Sequence, residues 1–274
     1  MLKDITFGQY FSANSFIHKL DPRAKILLLV AFIVLIFCAT NFPSLGIAFV
    51  LVIVSLLFSG IPIRMYLKNL KAIVPIIIFT AVINVFYGQD GDVLWSYWVI
   101  SIHESGIFRA IFMAVRVILL ILISSALTYT TTPNDLTDAI ERLLKPLKFI
   151  GLGSAVHTMS MMMTIALRFI PTLIEETNKI MNAQKARGAD IESGGLIKKV
   201  KALIPILIPL LISAVRRAYE LAEAMECRCY NGGKGRTRMK RLHLSWRDFL
   251  AFFLTAVFLG GVIVSNIFIN FGAI

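Results

Sequence analysis

Five long apolar runs divide this chain, and they limit its possible folds more than any other feature. A helix needs roughly 17–25 residues to cross a bilayer, and the first three runs are at or below that length, so they need a thin bilayer or snorkelling ends. The chain is 57% hydrophobic with a mean hydropathy of +0.78, far above a soluble domain of this length. We therefore expect about five transmembrane helices in an all-α membrane protein. The runs are Ile26–Ala39, Leu45–Gly60, Ala72–Tyr87, Ala110–Tyr129 and Phe249–Phe271.

The net charge of +12 is distributed in a way that predicts the topology. The segments Ile61–Lys71 and Asn231–Arg247 contain several Lys and Arg residues and no acid. Gly88–Ser105 instead contains three acids, no Lys or Arg, and interfacial aromatics. The positive-inside rule then places the N-terminus and the region after Tyr129 in the cytoplasm, and the Gly88–Ser105 loop and the C-terminus outside the cell membrane. Nucleic-acid binding is disfavoured because the basic residues flank spans rather than line one face.

The stretch 132–230 predicts three amphipathic helices. The first begins at Thr131–Asp135, where a threonine cap and Pro133 signal a helix start. It ends near Pro146. Its acids and bases, among them Glu141, lie opposite an apolar stripe. The stripe consists of Leu136, Ile140, Leu143, Leu144 and Leu147.

The second and third amphipathic helices follow one plan, over about 154–187 and 196–230. Each is apolar in its first half and charged in its second, as in a helix that leaves the bilayer for the cytosol. The apolar halves of 154–171 and 203–213 can either cross the membrane or lie obliquely at its interface. The prolines that interrupt both halves, Pro171, Pro205 and Pro209, favour the interfacial arrangement. The chain then divides into a four-span membrane domain (1–131), a domain of three amphipathic helices (132–230), and a basic turn with the last span (231–274).

A short sequence recurs at the ends of the second and third helices. The first copy is Ala186-Arg187-Gly188 and the second is Cys227-Arg228-Cys229. Two similar helices that end in two arginines suggest a part that meets a partner made of two like halves. The simpler explanation is a cation at each helix C-terminus, which the helix dipole favours by about 0.3–1 kcal/mol.

Two polar residues within the spans need partners in the bilayer. Arg116 is expected to snorkel towards the outer end of its span, because a charge there costs roughly 2.5–3.5 kcal/mol. Asn84 is expected to form a hydrogen bond between helices. Paired acids are absent from the spans, so proton-coupled transport has little support.

Sequence signatures of a catalytic or metal site are missing. Gly232–Thr237 is rich in glycine but lacks the phosphate-binding pattern G-x-x-x-x-G-K-[ST]. The four histidines are scattered, and one C-x-C pair is weak evidence for zinc. Met159 and Met161–Met163 fit hydrophobic packing or an adaptable partner surface better than soft-metal binding. The chain is therefore expected to be a non-enzymatic protein that binds no cofactor.

Taken together, these features resemble the transmembrane (T) component of energy-coupling factor transporters, the EcfT family. Ser15–Lys25 is similar to the family motif S-x-x-H-x-L-D-P-R-x-K, and Ala186-Arg187-Gly188 matches the first coupling motif. Cys227-Arg228-Cys229 keeps the arginine of the second motif but has cysteines in place of its small neighbours. The resemblance covers essentially the whole chain.

The resemblance implies a coupling subunit of an ATP-driven importer. Two cytosolic ATPases, which use ATP and Mg²⁺, would dock on the residues 186–188 and 227–229. A separate small membrane protein, the S component, would capture a vitamin or other micronutrient. It would rest on the three amphipathic helices of 132–230, which are the coupling helices in this family. Its expected contacts are Leu136, Ile140, Leu143, Leu147, Met159, Met162 and Met163.

Two other functional classes predict different sequences. A self-sufficient secondary transporter or permease would show repeats among its spans and helices broken at the membrane midplane, whereas the repeat here lies in the coupling helices. An intramembrane enzyme would need converging nucleophile, acid or metal groups within the spans, and none is visible.

Overall fold

Helices make up nearly all of the described chain. The computed structural model describes residues 10–87, 93–97, 100–151, 153–189, 195–232 and 242–268. Helices α1 to α4 are Pro22–Cys38, Phe42–Ser59, Ile63–Tyr87 and Glu104–Thr130, and α5 to α8 are Pro133–Leu143, Gly153–Ala186, Leu196–Cys227 and Trp246–Phe268. A 3-10 helix spans Lys145–Ile150. The predicted all-α membrane fold is confirmed.

The two segments that were predicted to be loops contain regular structure. The basic segment 61–71 is mostly helical, because α3 begins at Ile63 rather than at the start of the apolar run. The segment 88–105 contains an antiparallel hairpin of β1 (Val93–Tyr97) and β2 (Ile100–His103). The basic side chains therefore lie on the first turns of a span, and an ordered ribbon follows that span.

Five described helices are long and apolar enough to cross a membrane by length and composition. Four correspond to predicted runs: α2, α3, α4 and α8. The fifth is Val200–Cys227 in α7, the helix for which the sequence left crossing and interfacial arrangements open. Helix α1 has 17 residues, the lower end of what a span needs.

The chain forms two compact units. The first contains residues 1–139 and 240–274, so the last helix belongs with the N-terminal helices. Within it, α4 packs on α1, α2 and α3, and α8 packs on α1 and α2. Five large apolar side chains are completely or almost completely buried at these contacts: Leu35, Ile36, Leu51, Phe112 and Leu119.

Gly106 allows a close helix contact in this unit. A Cβ added at Gly106 would lie 2.6 Å from the carbonyl oxygen of Val85, which is too close for any side chain. The absence of a side chain therefore lets the start of α4 approach the end of α3.

Both intramembrane polar residues have partners within the protein. The Arg116 guanidinium donates to the carbonyl of Ala39 at the end of α1 and lies 4.7 Å from the centre of the Phe112 ring. A helix C-terminal carbonyl and an aromatic face replace water around this charge. Asn84 donates to Thr80 in its own helix, at 2.8 Å, rather than between helices.

The second unit, residues 140–239, contains α6 and α7 packed side by side. The predicted bounds of both helices are confirmed to within about three residues. Pro171 does not break α6, and Pro205 and Pro209 do not break α7. A proline removes one backbone hydrogen bond, and the packed neighbour helix supports the helices through these positions.

Candidate functional site

The first copy of the repeated sequence forms the C-terminal cap of α6. The Gly188 amide donates to Lys185 O and the Ala189 amide donates to Gln184 O, both at 3.0 Å. Gly188 has φ +85°. This is a Schellman motif, in which a left-handed residue lets two amides bond carbonyls that the helix would leave unpaired. Arg187 is the C-cap residue of α6, directly before the left-handed Gly188.

The second copy forms the same motif at the end of α7. The Cys229 amide donates to Glu226 O at 2.8 Å, and the Tyr230 amide donates to Met225 O at 3.0 Å. Cys229 has φ +55° and is the only non-glycine residue with a positive φ among the described residues. Arg228 thus holds the position that Arg187 holds in the first copy.

The two caps expose their arginines. Both arginines and their sequence neighbours, 186–188 and 227–229, are exposed in the structure. Each guanidinium extends from a helix end whose free carbonyls carry partial negative charge. The structure therefore places both predicted arginines on equivalent, accessible helix ends.

The two arginines lie at opposite ends of an antiparallel helix pair. Gln184 near the end of α6 donates to Pro205 O of α7 at 3.4 Å, and the Tyr230 hydroxyl after α7 donates to Met161 Sδ of α6 at 2.9 Å. Between these contacts Arg217 forms an ion pair with Glu176. Arg187 is 26 residues beyond Met161. At 1.5 Å per helical residue the two caps are therefore roughly 40 Å apart along the pair.

The predicted partner surface is partly exposed. Met159, Met162 and Met163 on α6 are 71%, 60% and 51% exposed, and their i, i+3, i+4 spacing puts them on one helix face. Leu136, Ile140 and Leu143 on α5 are half-buried, whereas Thr137 and Ala139 are the buried residues of that helix. Leu147 lies beyond the end of α5, in the 3-10 helix. The apolar stripe predicted for one continuous helix is therefore shorter than expected.

The sequence pattern put Glu141 opposite the apolar stripe of α5. In the structure this side chain contacts α6 instead of facing solvent. Its carboxylate accepts a hydrogen bond from the Ser160 hydroxyl and lies 3.3 Å from His157 Nδ1. Ser160 is the only buried residue of α6 among those described. An ionised carboxylate is a strong hydrogen-bond acceptor. The hydrogen bond from Ser160 to Glu141 therefore joins the end of α5 to the start of α6. Helical periodicity alone cannot identify such a contact, because it depends on how two helices pack.

The N-terminal motif has a structural role that its sequence did not reveal. Asp21 caps α1 by accepting from the Arg23 amide at 2.9 Å, and its own amide donates to Asp248 Oδ1 at 2.9 Å. Lys25 Nζ donates to Thr130 O at 2.8 Å. The His18 Nε2–H donates to Phe11 O at 2.8 Å. The motif therefore joins α1 to the end of α4 and the start of α8.

Within the described ranges, no three His, Cys, Asp or Glu side chains come together in a way that could hold a metal ion. The cysteines at positions 227 and 229 are free and exposed.

Comparisons with known proteins identify the family of this chain. A family model described as cobalt transport protein, CbiQ, matches residues 13–239, which is 227 of the 274 residues. The chain belongs to this family. The matched range includes the N-terminal motif and both arginine caps.

Several curated relatives in the family carry the name energy-coupling factor transporter transmembrane protein EcfT. The Clostridium kluyveri protein is 53% identical over 92% of this chain and 93% of its own length. The Ruminiclostridium cellulolyticum protein is 50% identical over 96% of this chain and 98% of its own length. The Bacillus subtilis protein is 40% identical over 90% of this chain and 93% of its own length. The predicted resemblance is thus confirmed, and the chain is a multi-pass membrane protein of a transport family.

Proposed function

We propose that this chain is the membrane-embedded coupling subunit of an energy-coupling factor importer. In this proposal Arg187 and Arg228 dock on two cytosolic ATPases, and the coupling helices also carry a separate small membrane protein that binds the substrate. The observation that supports it most is the pair of matching Schellman caps that present one exposed arginine each.

The spacing of the caps favours a partner with two separate pockets. Two arginines roughly 40 Å apart at opposite ends of a helix pair are too far apart for one binding pocket, whereas two like ATPases would each offer one. Arginine suits such a pocket because its planar guanidinium forms two parallel hydrogen bonds to a carboxylate. When the ATPases approach each other on binding ATP, the two caps would move and pass the motion to α6 and α7.

The methionine face of α6 supports the second contact. Met159, Met162 and Met163 are unbranched and exposed on one face, and flexible thioether side chains adapt to different partner surfaces. Leu136, Ile140, Leu143 and Leu147 are further proposed contacts of the small membrane protein. The small membrane protein held there would bind a vitamin or another micronutrient, so this chain need not recognise the substrate itself.

The energy for transport would come from the partners. The chain has no phosphate-binding sequence of its own, and the ATPases would hold ATP and Mg²⁺. We further propose that the N-terminus is cytoplasmic and the C-terminus extracellular, since the positive-inside rule requires this orientation and since it puts both caps on the ATPase side.

Co-purification tests the proposal. The chain is co-expressed with the two ATPases and the small membrane protein from its own genome, and the complex is isolated through a tag on this chain. The combined Arg187→Glu and Arg228→Glu variant should lose both ATPases and ATP-dependent uptake while remaining in the membrane. Arg216→Glu, an exposed arginine on α7 away from the caps, is the matched control and should keep both. Full assembly and uptake in the variant with glutamate at both arginine positions would refute the proposal.

A further inference from the structure

The first unit contains an apolar cavity of about 230 Å³, open on one side, that the proposed coupling function does not use. It lies between α1, α2, α4, α8 and the segment before α1. An apolar cavity of about 150 Å³ is already large enough to bind benzene. The cavity therefore has room for a short stretch of hydrocarbon.

The polar groups around the cavity are directed to the backbone. The hydroxyls of Ser55, Thr130 and Thr255 each donate to a carbonyl one turn earlier in their own helices, at 2.7–2.8 Å. The Lys25 ammonium donates to Thr130 O. With these donors engaged, the rest of the lining is carbon, and its chemistry fits an alkyl chain better than a polar ligand.

The cavity connects the helix core with the lipid-facing surface. Its inner wall includes Leu28, Leu51 and Ile123, all at most 7% exposed. Its outer wall includes Phe58 and Leu250, which are 61% and 46% exposed. Because exposed apolar residues on spans face lipid, hydrocarbon can pass from the bilayer into the core without crossing water.

Basic residues lie at the end of the bundle nearest the cavity. The cavity is lined by the start of α1 and α8 and the end of α2 and α4, which lie at one end of the helix bundle. Arg247 is exposed one turn before Leu250 on α8, and Arg64 is exposed on the first turn of α3, five residues after α2 ends. Trp246 is 78% exposed, as expected at a headgroup interface. These cations match the phosphodiester of a lipid whose tail enters the cavity.

We propose that the cavity binds one acyl chain of an anionic phospholipid, with its headgroup held near Arg64 and Arg247. This lipid site does not depend on the proposed coupling function. The proposed orientation of the chain decides only that the lipid belongs to the cytoplasmic leaflet. Bound in this way, the lipid would fill the space between α2 and α8 and become part of the bundle.

Photo-crosslinking in lipid nanodiscs tests the proposal on the full chain. The probe is a phosphatidylglycerol with a diazirine near the end of one acyl chain, and adducts are mapped by mass spectrometry after digestion. Adducts should form at Leu28, Leu51 or Ile123, which surrounding lipid cannot reach, as well as at the lipid-facing Phe253. Adducts confined to the outer surface of the wild-type protein would overturn the proposal, whatever the variants do.

Two variants on α8 separate the cavity from general lipid contact. Ala251→Phe places a ring in the cavity lining and should abolish the inner adducts while leaving those at Phe253. Ala256→Phe, an exposed position outside the lining, should leave both sets unchanged. Inner adducts that persist in Ala251→Phe would show that the label reaches these residues by another route and would overturn the assignment.

The headgroup is tested with a matched phosphatidylcholine probe. Each arginine near the headgroup adds roughly fivefold to the affinity for an anionic lipid, so phosphatidylglycerol should label the inner residues more strongly. The combined Arg64→Gln and Arg247→Gln variant should remove that preference. Equal labelling by both probes in the wild-type protein would overturn the anionic assignment.

Discussion

Gly188 and Cys229 occupy the same position in two copies of one helix cap. Both residues have left-handed backbone angles, with φ +85° and +55°, and in both caps the preceding residue is the exposed arginine. Only glycine adopts this conformation freely, since an L side chain in it costs roughly 1–2 kcal/mol. The cysteine therefore carries strain that the glycine does not.

The first prediction concerns this strain. Cys229→Gly should stabilise the protein by about 0.5–1 kcal/mol, because relief of the left-handed strain exceeds the extra flexibility of glycine in the unfolded chain. Gly188→Ala should destabilise it by about 1–2 kcal/mol, since the added Cβ would contact nothing within 4 Å and only the backbone strain remains. Thermal unfolding in detergent, followed by circular dichroism, measures both changes.

Cys227→Gly is the matched control for the cysteine substitution. Cys227 is the last residue of α7 and is helical. Glycine at this position should therefore destabilise the protein by a few tenths of a kcal/mol. Equal effects at positions 227 and 229 would mean that the left-handed angle at Cys229 does not determine the result.

The second prediction tests the link between α5 and α6. Glu141→Gln removes the negative charge of the acceptor, and Ser160→Ala removes the hydroxyl donor, in the hydrogen bond to this partly buried carboxylate. Their effects on the free energy of unfolding should be coupled by about 1 kcal/mol, within the range for residues in direct contact. Glu175→Gln, an exposed position on α6, should combine additively with Ser160→Ala. Additivity in the Glu141 pair as well would contradict the contact.

Sequence patterns predicted the two long helices and the arginines at their ends, but not the left-handed residues that cap them. An apolar first half followed by a charged second half marks both α6 and α7, and the repeated arginine sequence marks their ends. Pairings between distant segments have no such signal. Asp248 bonds the amide of Asp21 from 227 residues away, and a single acid at the start of a span does not reveal which amide it will meet.

The third prediction concerns topology. Cysteine introduced at position 92 should react with an impermeant maleimide from outside intact cells, and cysteine at position 236 only after permeabilisation, because the charge distribution places them on opposite sides. Both positions lie outside the described residues. The background has Cys38, Cys227 and Cys229 replaced by serine. The reverse labelling pattern would put both arginine caps on the wrong side of the membrane for ATPases.

The fourth prediction concerns the proposed surface for the small membrane protein. A charge at Met162 or Leu143 should weaken binding of that protein and leave the ATPases bound, since an uncompensated charge in an apolar interface is costly. Co-purification of each partner with Met162→Glu and Leu143→Glu measures this. Phe253→Glu, an exposed position on α8, is the control for a general effect of charge. Loss of both partners would show that the two surfaces are not separable.

The last prediction sets the size of the effect at each arginine. Removal of one partner from a buried ion pair costs roughly 3–5 kcal/mol. Because the caps are exposed helix ends, each pocket should be only partly closed, and about 2–3 kcal/mol is the expected loss, or roughly thirty- to one-hundred-and-fiftyfold in affinity. Arg187→Ala and Arg228→Ala should each weaken ATPase binding by this factor. Lysine at either position should restore only part of it, since an ammonium cannot form the paired hydrogen bonds of a guanidinium.

The double variant distinguishes docking from simple helix capping. If the two arginine caps act as two linked contacts, the second contact forms within the complex, and loss of both should release the ATPases altogether rather than add a small increment. If the arginines only complement the helix dipoles, each contributes about 0.3–1 kcal/mol to stability, and ATPase binding should stay near the wild-type level. Titration of the purified ATPases onto the reconstituted chain, together with thermal unfolding of the chain alone, separates the two cases. A thermal midpoint unchanged by a substitution that abolishes ATPase binding would assign the arginine to docking, whereas a lowered midpoint with normal binding would assign it to the cap.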